Sequence, residues 1–394
     1  MRPRIAFLCQ SLTGTGGTER VVSTLSQLLC ERFEVYELSF DAPGSARHFE
    51  SPARFVPLGP SLQLPLVLRP ISYIFDAARL WRAKRRLGIA LTISNLWRAD
   101  LLSVLSMGTD RKVSICHINI VENVTNRLLL RFRPLVSLVY RRFDKVVSVS
   151  RPLGAEISGL FRLPESKSCV IHNCVLERPI EHCEKSDQRI RMVWCGRFVT
   201  EKNVAPLVEI FAEALREDSK LQLLMIGDGP LRAQLETLIA KLDLKSGNSV
   251  DDAVSDVILT GFVHDPVAII ARCDFQVLTS IAEGLGMVLI EGFSVGIPAL
   301  ASDCSGGGVH DAMGGSAAYK RGRKQVEQTN CGVLMPVPNL AVPESFDVWR
   351  RFILRMATDS ELRERLSVGA RSRAQLFSPE VIAPLWFQLF KEVL

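Results

Sequence analysis

Two glutamates, Glu283 and Glu291, flank a segment that is otherwise glycine and aliphatic, "IAEGLGMVLIEG" (281–292). The preceding "FQVLTS" predicts a buried strand, the glycines permit a tight turn, and "MVLIEGFSV" predicts a helix closed by Gly296 and Pro298. Both carboxylates are expected near a helix N-terminus, whose free N–H groups favour an anion. Because carboxylates accept hydrogen bonds from vicinal hydroxyls, the pair predicts a ligand with sugar hydroxyls and a diphosphate. In the structural alternative Glu283 only caps the helix, which leaves Glu291 unexplained.

A second predicted strand-to-helix turn, "WCGRFVTEKNVAPL" (194–207), carries two cations, Arg197 and Lys202. Asn203 is predicted to cap the helix that follows. Arginine suits forked contacts with phosphate, and lysine suits a point-charge contact. The alternative is a pair of surface charges. The second anion-binding helix start, at the glutamate pair, favours phosphate binding by Arg197 and Lys202.

A glycine-rich loop, "SLTGTGGTERVV" (11–22), follows the first predicted strand. It resembles a dinucleotide-binding fingerprint, but Glu19 stands where the third glycine is needed. Asp41, after the second predicted strand, is placed for a ribose, yet the missing glycine argues against a nicotinamide cofactor. Gly16 and Gly17 are predicted to let the backbone approach a phosphate or an acceptor closely. An ordinary βα turn is the alternative.

A histidine, His117, closes the predicted strand in "KVSICHINIVEN". Many single histidines near apolar strands are core residues with satisfied hydrogen bonds. A histidine at the carboxyl end of a strand, however, faces the ligand side of an open parallel sheet. Both a core role and a role in a catalytic site therefore stay open for His117.

Short aliphatic runs alternate with helical patterns along the whole chain, which predicts parallel βαβ units. Each half is expected to form a doubly wound α/β domain. The segment 174–190 is polar and lacks periodicity, so it is the predicted linker. A ligand is then expected in the cleft between the domains.

The formal net charge of +6 is unevenly distributed. Residues 1–182 hold 25 Lys and Arg against 15 Asp and Glu, and the remainder holds 23 against 27. Two segments, "RLWRAKRR" (79–86) and "RLLLRFRPLVSLVYRR" (127–142), interleave cations with apolar residues and predict adhesion to an anionic membrane surface. The alternative is solvated helix faces with arginine stems packed on the core. Nucleic acid is not an expected partner, because aromatic stacking residues are few.

The ten cysteines are scattered without a C-x-x-C pair, which predicts reduced thiols and offers no spacing for a metal site. The first apolar run suits a buried strand better than a signal peptide. The other long apolar stretches are interrupted by Pro and Arg. The expectation is a cytoplasmic protein that attaches peripherally to the inner face of the cytoplasmic membrane.

These segments together resemble the retaining glycosyltransferases of the GT-B fold, family 4. The glutamate pair matches the E-x7-E motif of that family, and "GRFVTEKN" matches its G-R-x-x-x-x-K segment. "MIGDGPLRAQL" matches G-x-G-P-L, "TGTGGTERVV" the N-terminal Gly-Gly loop, and "CGVLMPV" the late N-G-x-L-x-P run. "VIHNCV" resembles the I-x-N-G-V junction, with Cys174 in place of glycine. "CSGGGVHDAM" departs from the usual glycine pair and Pro-x-Glu turn.

The resemblance implies a role for each candidate residue. Glu291 would hold the ribose hydroxyls of a nucleotide, and Glu283 the hydroxyls of the donor sugar. Arg197 and Lys202 would neutralise the diphosphate leaving group, and His117 would lie beside the sugar in the catalytic site. Further contacts are implied for the donor at Gly286, Met287, Val288 and Val263, and for the phosphate and acceptor side at Gly16 and Gly17.

The resemblance also implies two Rossmann-like domains that face a central cleft. An acceptor-binding domain would cover 1–173, a linker 174–188 and a donor-binding domain 189–376, with a last helix, 377–394, crossing back. Two cations and a helix N-terminus would stabilise the departing diphosphate, so neither a metal nor another cofactor is expected. In the absence of an obvious nucleophile, the acceptor would attack from the front face and lose its proton to the departing phosphate.

The resulting prediction is a transferase that moves a hexose from a nucleotide-sugar to a lipid-linked, lipopolysaccharide or polysaccharide acceptor, with a UDP-sugar as the expected donor. One alternative is a two-domain NAD-dependent oxidoreductase. The other is a non-catalytic protein that binds nucleotide-sugars.

Overall fold

A computed structural model of the protein describes residues 2–65, 68–118, 132–176, 188–316, 319, 322 and 325–394. The chain folds into two compact units. Unit 1 comprises Met1–Leu176 with Ser378–Leu394, and unit 2 comprises Glu177–Phe377. Most of the predicted linker, 177–187, lies outside the described residues.

Unit 1 contains a parallel sheet with the strand order β3-β2-β1-β4-β5-β6-β7. The strands are β1 (Arg4–Cys9), β2 (Glu34–Ser39), β3 (Arg54–Pro57), β4 (Leu91–Asn95), β5 (Arg111–Cys116), β6 (Lys145–Ser148) and β7 (Ser168–Val170). The chain moves outward from β1 to β3 and then returns to β4 on the other side of β1. Ligands of such sheets bind beyond the carboxyl ends of the strands at this point of reversal.

Helices connect these strands, and the two central strands are apolar because helices cover both faces of a parallel sheet. Ile5 through Cys9 of β1 and all of β4 are buried. The helices are α1 (Gly17–Leu29), α2 (Arg69–Leu87), α3 (Leu96–Leu105), α4 (Arg133–Tyr140) and α5 (Arg151–Phe161).

Unit 2 contains a second sheet, with the order β10-β11-β9-β8-β12-β13-β15-β14. Its strands are β8 (Ile190–Cys195), β9 (Leu221–Ile226), β10 (Ser246–Gly247), β11 (Val257–Gly261), β12 (Phe275–Leu278), β13 (Ala299–Ser302), β14 (Glu327–Gln328) and β15 (Gly332–Met335). Only the edge pair β14–β15 of these described strands is antiparallel. The order reverses between β8 and β12, which are direct neighbours.

The connecting helices of unit 2 pack a large apolar core against this sheet, which includes Trp194, Phe211 and Trp349. The helices are α6 (Val204–Glu217), α7 (Arg232–Lys241), α8 (Val267–Ile270), α9 (Met287–Ser294), α10 (Gly308–Met313), α11 (Pro343–Thr358) and α12 (Ser360–Gln375). The predicted fold class, two doubly wound α/β domains with parallel sheets, is confirmed.

The last helix, α13 (Pro379–Val393), belongs to unit 1 although it follows unit 2 in the chain. Phe33, just after α1, contacts the rings of Phe387 and Phe390, and Lys145 forms an ion pair of 2.8 Å with Glu392. Each of the described helices is too short or too polar to cross a bilayer.

Candidate active site

The strand order of unit 2 places two of the predicted turns side by side. Arg197 and Lys202 follow β8, and Glu283 follows β12. Because these neighbouring parallel strands end at the same edge of the sheet, both turns lie at the point of reversal.

Lys202 and Glu283 form an ion pair at this edge, from the Lys202 Nζ to the Glu283 Oε1. The same Oε1 accepts a hydrogen bond of 2.7 Å from the hydroxyl of Ser280. The Lys202 side chain is 24% exposed and that of Glu283 is 12% exposed. The pair is therefore shielded from bulk water yet accessible to a ligand.

The backbone of the Glu283 loop is fixed from two sides. The Glu283 N–H donates to the carbonyl of Ser305 at 3.1 Å, and the Ser305 N–H donates to the carbonyl of Ile281 at 3.0 Å. On the other side, the Ile281 N–H donates to the carbonyl of Glu201 at 2.9 Å, and the Thr279 hydroxyl donates to the carbonyl of Lys202 at 3.2 Å. These contacts connect the glutamate loop to the lysine turn and to the loop after β13.

Gly308, the first residue of α10, permits close packing of the segment after β13 against the Glu283 loop. A Cβ atom at Gly308 would lie 1.9 Å from the carbonyl oxygen of Gly284. Residues 302–313 are buried throughout. This glycine-rich segment therefore supports the Glu283 loop from behind.

Helix α9 begins directly after that loop. Gly286 precedes it in the left-handed conformation, with φ of 79°, and Met287 and Val288 form its half-buried first turn. The first N–H groups of a helix have no partner within the helix, so this end favours an anion. Val263 and Val288, two of the implied donor contacts, pack against the same apolar cluster.

Glu291 occupies the second turn of α9, as predicted, and is only 4% exposed. It is thus more deeply buried than Glu283. Carboxylates are rarely buried to this extent without a partner.

Arg197 is exposed, and its guanidinium forms no hydrogen bond or ion pair with the described residues. The backbone on both sides of Arg197 contacts the loop after β9. The Phe198 N–H donates to the carbonyl of Asp228 at 2.9 Å. Gly227 has a φ of 139°, and a Cβ there would lie 1.8 Å from the carbonyl oxygen of Gly196. Only glycine fits this contact.

Asn203 precedes α6 as predicted, but its side chain does not cap the helix. The residue adopts the left-handed conformation with φ of 53°. Its amide instead donates to the carbonyl of Pro338 at 2.9 Å. The prediction of a side-chain cap is wrong, because the side chain binds a neighbouring loop.

In unit 1, the glycine-rich loop is organised by Asp41. This carboxylate accepts hydrogen bonds from the Leu12 N–H at 2.8 Å and from the hydroxyls of Ser11 and Ser39 at 2.7 Å each, and a longer one from Thr13. Burial by itself would raise the pKa of Asp41, but these hydrogen bonds outweigh it and lower the pKa. The interpretation of Asp41 as a ribose ligand is replaced by a structural role, because its oxygens already have partners.

Gly16 precedes α1 and Gly17 is its first residue. A Cβ at Gly16 would lie 2.5 Å from the carboxylate of Glu19, whereas a Cβ at Gly17 would meet open space. Glu19 therefore folds back over the loop from the first turn of α1. A carboxylate at this position opposes the binding of a phosphate here, so an approach by an uncharged hydroxyl fits the loop better.

His117 follows β5 at the same edge of the unit 1 sheet. Its Nε2 lies 2.8 Å from the amide oxygen of Asn95, which ends the neighbouring strand β4. Burial lowers the pKa of His117 to about 4, so the ring is neutral at pH 7. The histidine therefore has the satisfied hydrogen bond of a core residue and the strand-end location of a ligand-binding one.

Sequence reasoning missed Ser280, Ser305 and Asn95. Asn95 ends β4 and Ser280 lies two residues after β12, positions that could have identified them. Ser305 acts through its backbone, which leaves no signal in its residue type. Among the described residues, no group of three or more His, Cys, Asp or Glu side chains is suited to a metal ion. Metal independence stays a prediction.

The fold and this site define a sugar-transferring class of protein, and comparisons with known proteins agree. Residues 15–176 match the model for "Glycosyltransferase Family 4", and residues 189–324 match the model for "Glycosyl transferases group 1". The chain is a glycosyltransferase with the GT-B fold, not an NAD-dependent oxidoreductase, and both models support its placement in glycosyltransferase family 4.

Similar proteins cover nearly the whole chain. An N-acetylgalactosamine-N,N'-diacetylbacillosaminyl-diphospho-undecaprenol 4-alpha-N-acetylgalactosaminyltransferase of Campylobacter jejuni is 25% identical over 94% of each chain. Sucrose-phosphate synthase from Thermosynechococcus elongatus has a TM-score of 0.77 at 18% identity, over 99% of both chains. Anabaena Alr3699/HepE, solved with UDP and glucose, has a TM-score of 0.72 at 17% identity, over 99% of this chain and 100% of its own.

Proposed function

We propose that this glycosyltransferase moves a hexose from a UDP-sugar to a lipid-linked or polysaccharide-type acceptor with retention of the anomeric configuration. The observation that carries the proposal is the Lys202–Glu283 pair beside the start of α9. A cation, a carboxylate and free helix N–H groups at one edge suit a ligand that combines a diphosphate with a sugar.

The donor site consists of residues of unit 2. Lys202 and the exposed Arg197 bind the diphosphate together with the N–H groups at the start of α9. Glu283 accepts hydrogen bonds from the sugar, and the buried Glu291 accepts them from the ribose. The backbone near Val263 contacts the base.

The proposed transfer reaction depends on the negative charge that develops on the leaving diphosphate. When the bond between the sugar and the phosphate breaks, negative charge grows on the diphosphate, and preorganised cations and N–H groups stabilise it without a metal. The acceptor hydroxyl attacks from the side of the leaving group and gives its proton to the departing phosphate. His117 contributes as a neutral hydrogen-bonding group near the acceptor, because its lowered pKa of about 4 removes it from acid–base work at pH 7.

The acceptor class is supported by a relative. The name of the Campylobacter jejuni enzyme specifies a diphospho-undecaprenol acceptor, and a lipid-linked acceptor requires the enzyme to reach a membrane. Unit 1 supplies a suitable surface on α2. Ile74 is 67% exposed and Phe75 is 54% exposed.

The cations of α2 divide into two groups. Arg79 pairs with Asp76, and Lys84 is buried against Asp110 at 2.8 Å, so both are used inside the fold. Arg69, Arg82, Arg85 and Arg86 are exposed. Exposed cations beside exposed apolar residues are typical of a helix that lies on an anionic bilayer. The second arginine-rich segment lies partly outside the described residues, at 127–131.

A donor panel tests the function. The purified protein is incubated with labelled UDP- and GDP-sugars and a membrane extract that contains lipid-linked saccharides. We expect transfer from one UDP-sugar to lipid-extractable product, with the anomeric configuration of the donor preserved in the product by NMR. An inverted anomer would contradict retention, and binding of donors without any product would contradict catalysis on this acceptor class.

A further inference from the structure

If the proposed function holds, Lys202 forms ion pairs with two different anions. Its Nζ pairs with Glu283 Oε1 in the free protein, and the same Nζ is proposed to bind the diphosphate of the donor. Ser280, which is fully buried, holds that carboxylate oxygen from the other side at 2.7 Å. Glu283 Oε2 makes no hydrogen bond with the described residues. Oε1 of Glu283 is thus bound within the protein, and Oε2 is available to a ligand.

We propose that Glu283 and the diphosphate compete for Lys202, and that Glu283 thereby speeds the release of the nucleoside diphosphate product. This inference rests on the proposed function. It gives Glu283 a role after the transfer in addition to its contact with the sugar.

The competition affects donor and product differently. With donor bound, the sugar hydroxyls donate hydrogen bonds to Glu283, which offsets the repulsion between this carboxylate and the diphosphate. After transfer the sugar has moved to the acceptor, and a partly buried carboxylate is left facing a diphosphate. Lys202 then returns to Glu283. The product is therefore bound less tightly than the donor, which favours turnover when release limits the rate.

The residue types fit such an exchange. Lysine is a compact point charge with three donors on a flexible stem, so Lys202 can move between two anions. The Lys202 side chain is 24% exposed and is not locked by the core. The Glu283 carboxylate is held in place by Ser280, so it remains available as the competing anion.

A Glu283→Gln variant tests the effect of the negative charge of Glu283 on nucleotide binding. Glutamine has nearly the same shape and keeps an oxygen that accepts the Ser280 hydrogen bond, but it no longer competes for Lys202. Titration calorimetry with UDP and with GDP on the full chain should give a Kd for the preferred nucleotide that is roughly three- to tenfold lower in this variant than in the wild type.

The matched control is Glu201→Gln, which removes the same charge from an exposed side chain next to Lys202. We expect less than about a twofold change in Kd for this control, because an exposed charge is screened. In a Lys202→Ala background, Glu283→Gln should also change the Kd by less than about twofold, because no lysine is then freed.

Two results separate this inference from the proposed function. If wild type and Glu283→Gln bind the nucleotide equally, or the variant binds it more weakly, the exchange is contradicted while donor binding stands. If the wild type binds neither UDP nor GDP, the proposed donor site is contradicted. Circular dichroism and the Tm of each variant verify that the fold is retained.

Discussion

At the residue scale, the central feature is a lysine and a glutamate from different turns that meet at one sheet edge. Neither Lys202 nor Glu283 is fully buried, so the pair contributes little to stability and can be opened by a ligand. Glu291 and His117, in contrast, are buried. The site therefore combines a partly buried ion pair with more deeply buried polar groups.

Acidification should destabilise unit 1 through His117. Its pKa is about 4 in the folded protein against an ordinary 6.5, so the unfolded chain binds more protons between these values. Stability is then fully present above the ordinary pKa and is lost as the pH falls toward the folded one. The loss amounts to roughly 3 kcal/mol when complete.

The measurement compares wild type with His117→Gln by urea unfolding of unit 1 across this pH range. The difference between the two proteins is needed because burial raises the pKa of Asp100 to about 7, which gives a pH dependence of opposite sign. Subtraction cancels the Asp100 contribution. A difference that does not change with pH would show that His117 is not buried in its neutral form.

The residue types in the sequence predict the charged candidate ligands better than they predict the side chains that fix the loops. Glu283 and Lys202 could be selected as charges in the turns that follow two strands, and Glu291 as a charge within an otherwise apolar helix. The sequence predicts a ribose ligand at Asp41 and a helix cap at Asn203. The residue types do not reveal that Asp41 binds its own loop or that Asn203 binds the carbonyl of Pro338. Only the fold reveals which partners are within reach.

At the scale of elements, the loop after β13 positions the Glu283 loop. Its contacts are made by the backbone of Ser305 and by the close approach of Gly308 to Gly284. The sequence shows the glycines here but departs from the family pattern, so their purpose could not be predicted. In the structure, Gly308 lets this segment pack closely against the Glu283 loop.

Gly308→Ala should therefore disturb the site. Its Cβ would lie 1.9 Å from the carbonyl oxygen of Gly284, so the Glu283 loop must shift. We expect a fall in transfer rate of about tenfold or more, because small displacements of a site are costly, and a loss of about 1–3 kcal/mol in the free energy of unfolding.

The control is Gly159→Ala in α5, where a Cβ would meet open space. This change should be neutral or stabilise unit 1 by about 0.5–1 kcal/mol, because alanine favours a helix. Wild-type transfer by Gly308→Ala would show that the loop after β13 does not position Glu283.

The elements that the sequence predicted are those with long apolar runs. β1, β4 and β9 are central strands whose residues lie within "RIAFLC", "ALTISN" and "LQLLMIGDG", and the strand predicted at "RMVWCGR" covers all of β8 except Ile190. No strand is predicted for β3, β7, β14 or β15, and β10 lies in "LKSGNSVDDAVSD", whose composition predicts a loop. Except for β15, these strands are short and partly exposed, so their residues lack a buried-strand pattern.

At the scale of the whole molecule, the two units follow one plan. Each unit has a largely parallel sheet whose order reverses once, and each carries candidate residues beyond the carboxyl ends of strands at or next to that reversal. The repeated βαβ pattern made this predictable. The return of α13 to unit 1 was expected only from the family resemblance, since local sequence does not reveal which unit a terminal helix contacts.

Unit 1 should bind anionic vesicles. In flotation assays, binding to phosphatidylglycerol vesicles should exceed binding to phosphatidylcholine vesicles, and each change of Arg82, Arg85 or Arg86 to Gln should weaken it by about 1 kcal/mol, or about fivefold. Phe75→Ser should weaken binding to both lipids. Arg365→Gln, which removes an exposed arginine from α12, is the control. Equal binding by all variants would exclude α2 as the membrane surface.

The rate of sugar transfer by Lys202→Ala and Glu291→Ala tests the central claim most directly. If these residues bind a nucleotide-sugar diphosphate and its ribose, each variant should lose at least about a hundredfold in kcat/KM, while its circular dichroism stays that of the wild type. Glu201→Gln, with its exposed side chain in the same turn, should retain the wild-type rate. Full activity in both alanine variants would place the donor elsewhere and contradict the account.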